Sequence, residues 1–179
     1  MSDAVSNAVS DLDVRALGPE DWPAYRDIRL AALKDAPEAF VSTYEEESKF
    51  EESLWRIRLA RSARLLVTQD GAAVGIVSVG QAEPDVAELF GMWVVPTVRG
   101  IGVAWRLTQA SSEHARGEGK RALQAWVSTD NGRAVAFFSS YGFRPTDIRR
   151  PTTTDAEIEE MAMTLPLGDD RDWPNPNGS

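Results

Sequence analysis

Cysteine is missing from this chain, and histidine occurs once, at His114. Without thiols there are no disulfides, no thiolate metal sites and no cysteine nucleophile. A single imidazole argues against a histidine-based metal site, so no metal is expected. No apolar run approaches the roughly 20 residues that cross a bilayer. The first ten residues are small and polar, without the basic region and apolar core of a secretory signal. No membrane partner and a cytoplasmic location are the expectations. A basic face is missing as well. The chain carries 19 Lys and Arg against 28 Asp and Glu, a formal net charge of -9. A nucleic-acid partner is therefore not expected. The acidity lends only weak support to a cationic substrate, because many proteins are acidic for solubility alone.

What is present suits a globular domain. The hydrophobic fraction is 42% and the charged fraction 26% of 179 residues, enough for a sizeable core. Residues 12–167 read as one domain. Residues 1–11, and the Gly-, Asp-, Pro- and Asn-rich stretch 168–179, read as disordered tails. A strand is expected over 12–17 and a helix after Gly18-Pro19-Glu20-Asp21, with Trp22, Tyr25, Ile28 and Leu33 on its apolar face. Thr43 and Glu46 have capping-box spacing, so one helix is expected over 45–61, with Phe50, Leu54 and Ile57 spaced for partial burial on one face and Leu59 off that stripe. Strands over 64–69 and 73–81 are joined by Asp70-Gly71, a hairpin signal. Further strands are expected over 86–95, 121–128, 143–148 and 156–165. Helices over 103–116 and 131–141 lie between them. The strands at 86 and 121 flank a crossover helix and should be parallel. The fold class is α+β: a mixed, mainly antiparallel central sheet with helices on both faces.

Residues 94–107 say most about function. An apolar strand stops at Pro96, a loop with Gly100 and Gly102 follows, and a helical pattern with Ala104, Leu107, Thr108 and Ala115 on one stripe begins. Strand, glycine loop and helix in that order present free backbone N–H groups at a positive helix end, which binds phosphate. Arg99 adds a cation suited to phosphate oxygens. No Lys-Ser or Lys-Thr follows the glycines, so the P-loop pattern fails. Trp105 stands where a dinucleotide fingerprint needs a third glycine or alanine. The pattern Arg/Gln-x-x-Gly-x-Gly/Ala is met in full by Arg99, Gly102 and Ala104. This loop resembles the pyrophosphate loop of the GCN5-related N-acetyltransferases. Asn131, Ala134 and the Gly142-Phe143 end of the next helix resemble that family's N-x-x-A…G-F segment. The resemblance runs over about residues 13–167.

The resemblance implies an acyl-CoA N-acyltransferase fold and acetyl-CoA as co-substrate. It implies transfer to a primary amine by direct attack in a ternary complex, and a homodimer is compatible with it. The acceptor stays open among small amines, aminoglycoside-like antibiotics, amino acids and protein amines. Cofactor contacts carried over are Arg99, Gly100, Ile101, Gly102, Val103 and Ala104 for the pyrophosphate, and the backbone of Met92, Trp93 and Val94 for the pantetheine arm. Asn131, Arg133 and Phe138 complete that set. Asn131 is equally an N-cap. Glu88 is the candidate general base. It lies in an apolar strand, on one face with Phe90 and Met92 by two-residue parity, and apolar neighbours should raise its pKa. The family's acid position, a Tyr four residues before the Gly of Gly-Phe, is Phe138 here. Tyr141, three residues on, is the candidate displaced acid. Arg29, Phe40, Ser42, Tyr44 and Trp55 are the acceptor-side candidates. The run of Glu45, Glu46, Glu47, Glu51 and Glu52 reads mainly as a solvated helix face. Two rivals remain: a non-catalytic acyl-CoA-binding or sensing module of the same fold, kept open by Phe138, and a plain interaction domain whose glycine loop is structural.

Overall fold

The computed structural model describes residues 11–168, so both expected tails fall outside it except at Asp11 and Gly168. The strands are β1 (Leu12–Ala16), β2 (Ala63–Gln69), β3 (Ala72–Glu83), β4 (Val86–Val94), β5 (Ala122–Ser128), β6 (Arg144–Pro151) and β7 (Glu159–Pro166). The helices are α1 (Trp22–Asp35), α2 (Tyr44–Glu47), α3 (Glu52–Arg61), α4 (Val103–Gly117) and α5 (Gly132–Tyr141). The strands hydrogen-bond in the order β1-β2-β3-β4-β5-β7-β6. β1 with β2, β2 with β3, β5 with β7 and β6 with β7 are antiparallel. β4 and β5 are parallel, pairing Val86 with Ala122, Ala87 with Leu123 and Glu88 with Gln124. The mixed, mainly antiparallel sheet with flanking helices is the one the sequence leads to. No described helix is long and apolar enough to cross a membrane.

The chain gathers into two compact units. The first takes the described residues up to Gly80 together with Leu89–Ser111. Its core joins α1 and α3 to the sheet: Tyr25, Ile28 and Ala32 from α1, Trp55 and Leu59 from α3, and Leu66, Ile76 and Trp93 from the strands. The spacings 25, 28, 32 and 55, 59 are helical, so each helix turns one stripe inward. Trp55 is fully buried and meets Tyr25 edge-on at 5.6 Å between ring centres. On the opposite face Val103 and Leu107 of α4 lie over β3. They sit so close that a Cβ at Gly75 would fall 2.7 Å from Val103 Cγ1. The hairpin between β2 and β3 turns at Asp70 and Gly71, both with positive φ, as an Asp-Gly pair favours.

One helix was expected over 45–61, and the chain forms two. Thr43 caps α2 by accepting from the Glu46 N–H at 3.2 Å. Ser48 Oγ then donates back to Glu45 O, and Lys49 and Phe50 make tight i−3 bonds that unwind the helix. After the restart at Glu52, Trp55 and Leu59 face inward and Ile57 is exposed. Phe50 and Leu54 are partly buried as expected, but Ile57 is not, and Leu59 takes its place on the inward face.

The second unit takes Gln81–Glu88 and the described residues from Ser112 onward. Asn131 caps α5 by accepting from the Ala134 N–H at 3.1 Å. Gly142 ends the helix at φ 126°, and its N–H and that of Phe143 return to Phe138 O. Phe143, Met161 and Met163 are buried in this unit.

Candidate functional site

The glycine loop is built by competing demands at the end of β4. Pro96 removes a donor and opens a single 3-10 turn, Pro96–Val98. Gly100 and Gly102 then take φ of 87° and 99°, where side chains with a Cβ are strained. The first bond of α4 runs from Arg106 N–H to Gly102 O at 3.0 Å. The N–H groups of Gly102, Val103 and Ala104 therefore precede the helical ladder and have no acceptor within it. These donors, with the positive helix end, fit a pyrophosphate.

Arg99 does something the sequence reading missed. Its Nε donates to Val94 O at 3.1 Å and its Nη2 to Asp35 Oδ2 at 2.8 Å. The same Asp35 oxygen accepts from the Trp93 indole at 3.0 Å. Those two hydrogen bonds, Trp93's first and then Arg99's, hold the Asp35 carboxyl below the usual carboxylate range. The arginine thus braces the loop against the C-terminus of α1. Asp35 carries no motif, and read from sequence it is only a helix stop.

Gly91 takes φ 62° in the middle of β4, outside the extended range of a strand. Phe90 shares a pocket with Tyr25 and Ile76, and Trp93 packs in the core with those two residues, so Phe90 and Trp93 lie on the same side of the sheet. Two-residue parity therefore fails after Phe90, and the expected common face of Glu88, Phe90 and Met92 breaks at Gly91. A glycine inside a strand pattern is the signal that points to such a break. Met92 and Val94 are half-buried and Trp93 is buried.

Glu88 is half-buried in the second unit, and Gln124 Nε2 donates to its Oε1 at 3.4 Å. Phe138, also half-buried, packs edge-on against Phe137 and Phe143, at 5.2 and 5.1 Å between ring centres. It offers no proton. The Tyr141 hydroxyl lies 3.4 Å from Ser112 Oγ on α4. Asn131 and Arg133 are exposed at the start of α5.

The acceptor-side candidates separate. Trp55 is wholly buried in the core, and its indole N–H has no hydrogen-bond partner. Ser42 Oγ donates to Glu46, and Tyr44 is exposed with Lys34 over its ring. Arg29 and Phe40 do line a pocket, with Tyr25, Arg64, Ser78 and Phe90. The acidic run is not uniformly solvated. Glu47 is fully buried, and accepts from Arg29 Nε at 3.1 Å, Arg29 Nη2 at 2.9 Å and Arg58 Nη1 at 2.5 Å. Burial works to raise the Glu47 carboxyl, but the hydrogen bonds and charges of Arg29 and Arg58 outweigh it and hold it low. Among the described residues no cluster of His, Cys, Asp and Glu is arranged to hold a metal.

A mainly antiparallel sheet whose fourth strand runs into a glycine loop at a helix N-terminus defines an acyltransferase-type α+β fold. The model of the acetyltransferase (GNAT) family matches residues 23–143, and the chain belongs to that family. An uncharacterized N-acetyltransferase of Methanocaldococcus jannaschii is 22% identical over 152 residues, 80% of this chain and 66% of its own length. The chain thus spans just under two thirds of that relative. Among solved structures, a GNAT-family acetyltransferase of Streptococcus pneumoniae superposes with a TM-score of 0.71 at 21% identity, covering 88% of this chain and 99% of the other. A protein of Salmonella typhimurium solved with its cofactor acetyl-CoA superposes at 0.67 and 18% identity, covering 93% and 99%. At these identities the superpositions establish the fold. Family membership supports acetyltransferase activity in general terms.

Proposed function

We propose that the protein moves an acetyl group from acetyl-CoA to a primary amine by direct attack in a ternary complex. The loop carries this reading: positive φ at Gly100 and Gly102 and the N–H groups of Gly102, Val103 and Ala104 form a cradle for a pyrophosphate. The Salmonella typhimurium protein of the same fold, solved with acetyl-CoA, supports the same assignment. Met92, Trp93 and Val94 supply backbone groups for the amide-rich arm. In the transfer the amine nitrogen bonds to the acetyl carbon and the thioester C–S bond breaks. The amine proton goes to Glu88, directly or through water. The thiolate takes a proton from solvent or from Tyr141, because Phe138 has none to give. A non-catalytic acyl-CoA-binding module is the second reading, favoured by Phe138 alone.

The test is calorimetry with acetyl-CoA followed by thiol release over an amine panel. Acetyl-CoA should bind, and Gly102→Val should weaken it by roughly tenfold or more, about 1.4 kcal/mol. Unchanged affinity in the variant would remove the loop assignment. Binding without thiol release for any amine would leave the non-catalytic module.

A further inference from the structure

The pocket in the first unit has an unbalanced charge. Arg29 and Arg64 line it, and Arg58 is joined to Arg29 through Glu47. Three guanidinium groups thus share one carboxylate. Glu47 is fully engaged by Arg29 and Arg58, and Arg64 has no carboxylate partner among the described residues. Arg64 is nonetheless held in place. Its guanidinium lies 5.1 Å from the Tyr25 ring centre and 5.6 Å from that of Phe90. Nη1 donates to Ser78 Oγ, and Nη2 to Arg58 O at 3.4 Å. Its Nε is buried with no acceptor at all.

A cation held between rings, with an orphaned donor and no ion-pair partner of its own, is an expensive arrangement for stability alone. Burial already pulls the Arg64 pKa below its usual value, and Arg29 and Arg58 add to that. A carboxylate in the pocket would supply the missing negative charge, and guanidinium is the side chain best matched to it. Phe90 and Gly91, which line the pocket, directly precede Met92, the start of the segment proposed to hold the cofactor's arm. Resting on the acetyl-transfer reading, we infer that this pocket takes the carboxylate of the amine acceptor, so that the acceptor class is amino acids. The cationic acceptor weakly suggested by net charge is disfavoured by the same groups.

The test pairs each of a panel of free amino acids with its carboxamide in the thiol-release assay. At least one free acid should exceed its carboxamide in kcat/KM by on the order of tenfold, carried by KM. In Arg64→Met that ratio should fall toward one. Arg64→Lys, which keeps the charge and loses the fork, should fall between. A cooperative melt and retained acetyl-CoA affinity establish that each variant is folded. Independently of turnover, calorimetry with the N-acetylated amino acids should show binding that the corresponding amides lack and that both Arg64 variants weaken. Equal binding of acids and amides, or equal losses for both in the variants, would overturn the inference. Failure of acetyl-CoA to bind would instead sink the transfer reading, while the calorimetry with carboxylates still decides this one.

Discussion

In the proposed transfer Glu88 and Tyr141 are the two candidates for moving protons, and their surroundings differ. Glu88 is half-buried and accepts from the Gln124 side-chain amide. The Tyr141 hydroxyl is instead within reach of Ser112 Oγ, a contact that ties α5 to α4 within the second unit. A paired experiment follows. Glu88→Gln should leave acetyl-CoA affinity intact and lower kcat by about a hundredfold or more, the contribution of a positioned base. The loss should shrink at high pH, where more of the amine is already neutral. Tyr141→Phe should cost only a few-fold, under about 1 kcal/mol of barrier. A hundredfold loss in Tyr141→Phe with binding preserved would assign the acid to Tyr141. Full activity of Glu88→Gln from about pH 6 to 9 would leave Glu88 with a structural role. Sequence alone placed both residues on their elements. It did not show their partners, because Gln124 and Ser112 come from strands and helices far along the chain.

At the level of elements, β4 shows what patterning captures and what it loses. The strand, the glycine loop, the helix after it and the parallel partner β5 were all legible, because each rests on local composition or on a crossover rule. So were the Asp70-Gly71 hairpin and the Asn131 cap. The split of α2 from α3 was not, since Ser48 competes with the helix backbone only through a side-chain bond. The positive φ at Gly91 was not read either, and Gly91 and Phe90 are the β4 residues that line the Arg64 pocket. Gly91→Val isolates its value. A Cβ there would meet Ser78 Oγ at 3.8 Å, ordinary contact, so the cost comes from backbone strain at φ 62°. A β-branched residue in that region should lose about 1–3 kcal/mol, read as a lower urea midpoint. If the strand relieves the strain by becoming extended at this position, Met92 and Trp93 exchange faces and acetyl-CoA affinity falls as well. A variant as stable as the parent would mean that the positive φ at this position is not needed.

Across the whole molecule, two electrostatic effects respond to acid in opposite directions. The formal net charge of -9 makes the folded chain repel itself at neutral pH, and mild acidification relieves that. Exposed charges more than about 8 Å apart are largely screened at physiological salt, so this gain is small. Opposing it are carboxyls held low in the folded state: Glu47 between Arg29 and Arg58, with Asp35 and Asp21 in more exposed hydrogen bonds. A carboxyl whose folded pKa is depressed contributes stability above its unfolded pKa, about 4. Below that, the unfolded chain takes up the proton first, and the contribution is lost as pH falls through the folded pKa. Glu47 is wholly buried, so its effect is the least screened and should dominate. Stability should therefore be nearly flat from about pH 6 to 8 and drop steeply below about pH 4 to 5. Glu47→Gln removes the charge and leaves two guanidinium groups uncompensated. At pH 7 it should cost about 3–5 kcal/mol, the usual loss when one partner of a buried ion pair is taken away. Its acid limb should also be shallower than the parent's, because the group that titrates is gone. Urea titrations of both proteins at pH 7 and pH 4 read both quantities. Equal losses on going to pH 4 would shift the acid sensitivity from Glu47 to the exposed carboxyls.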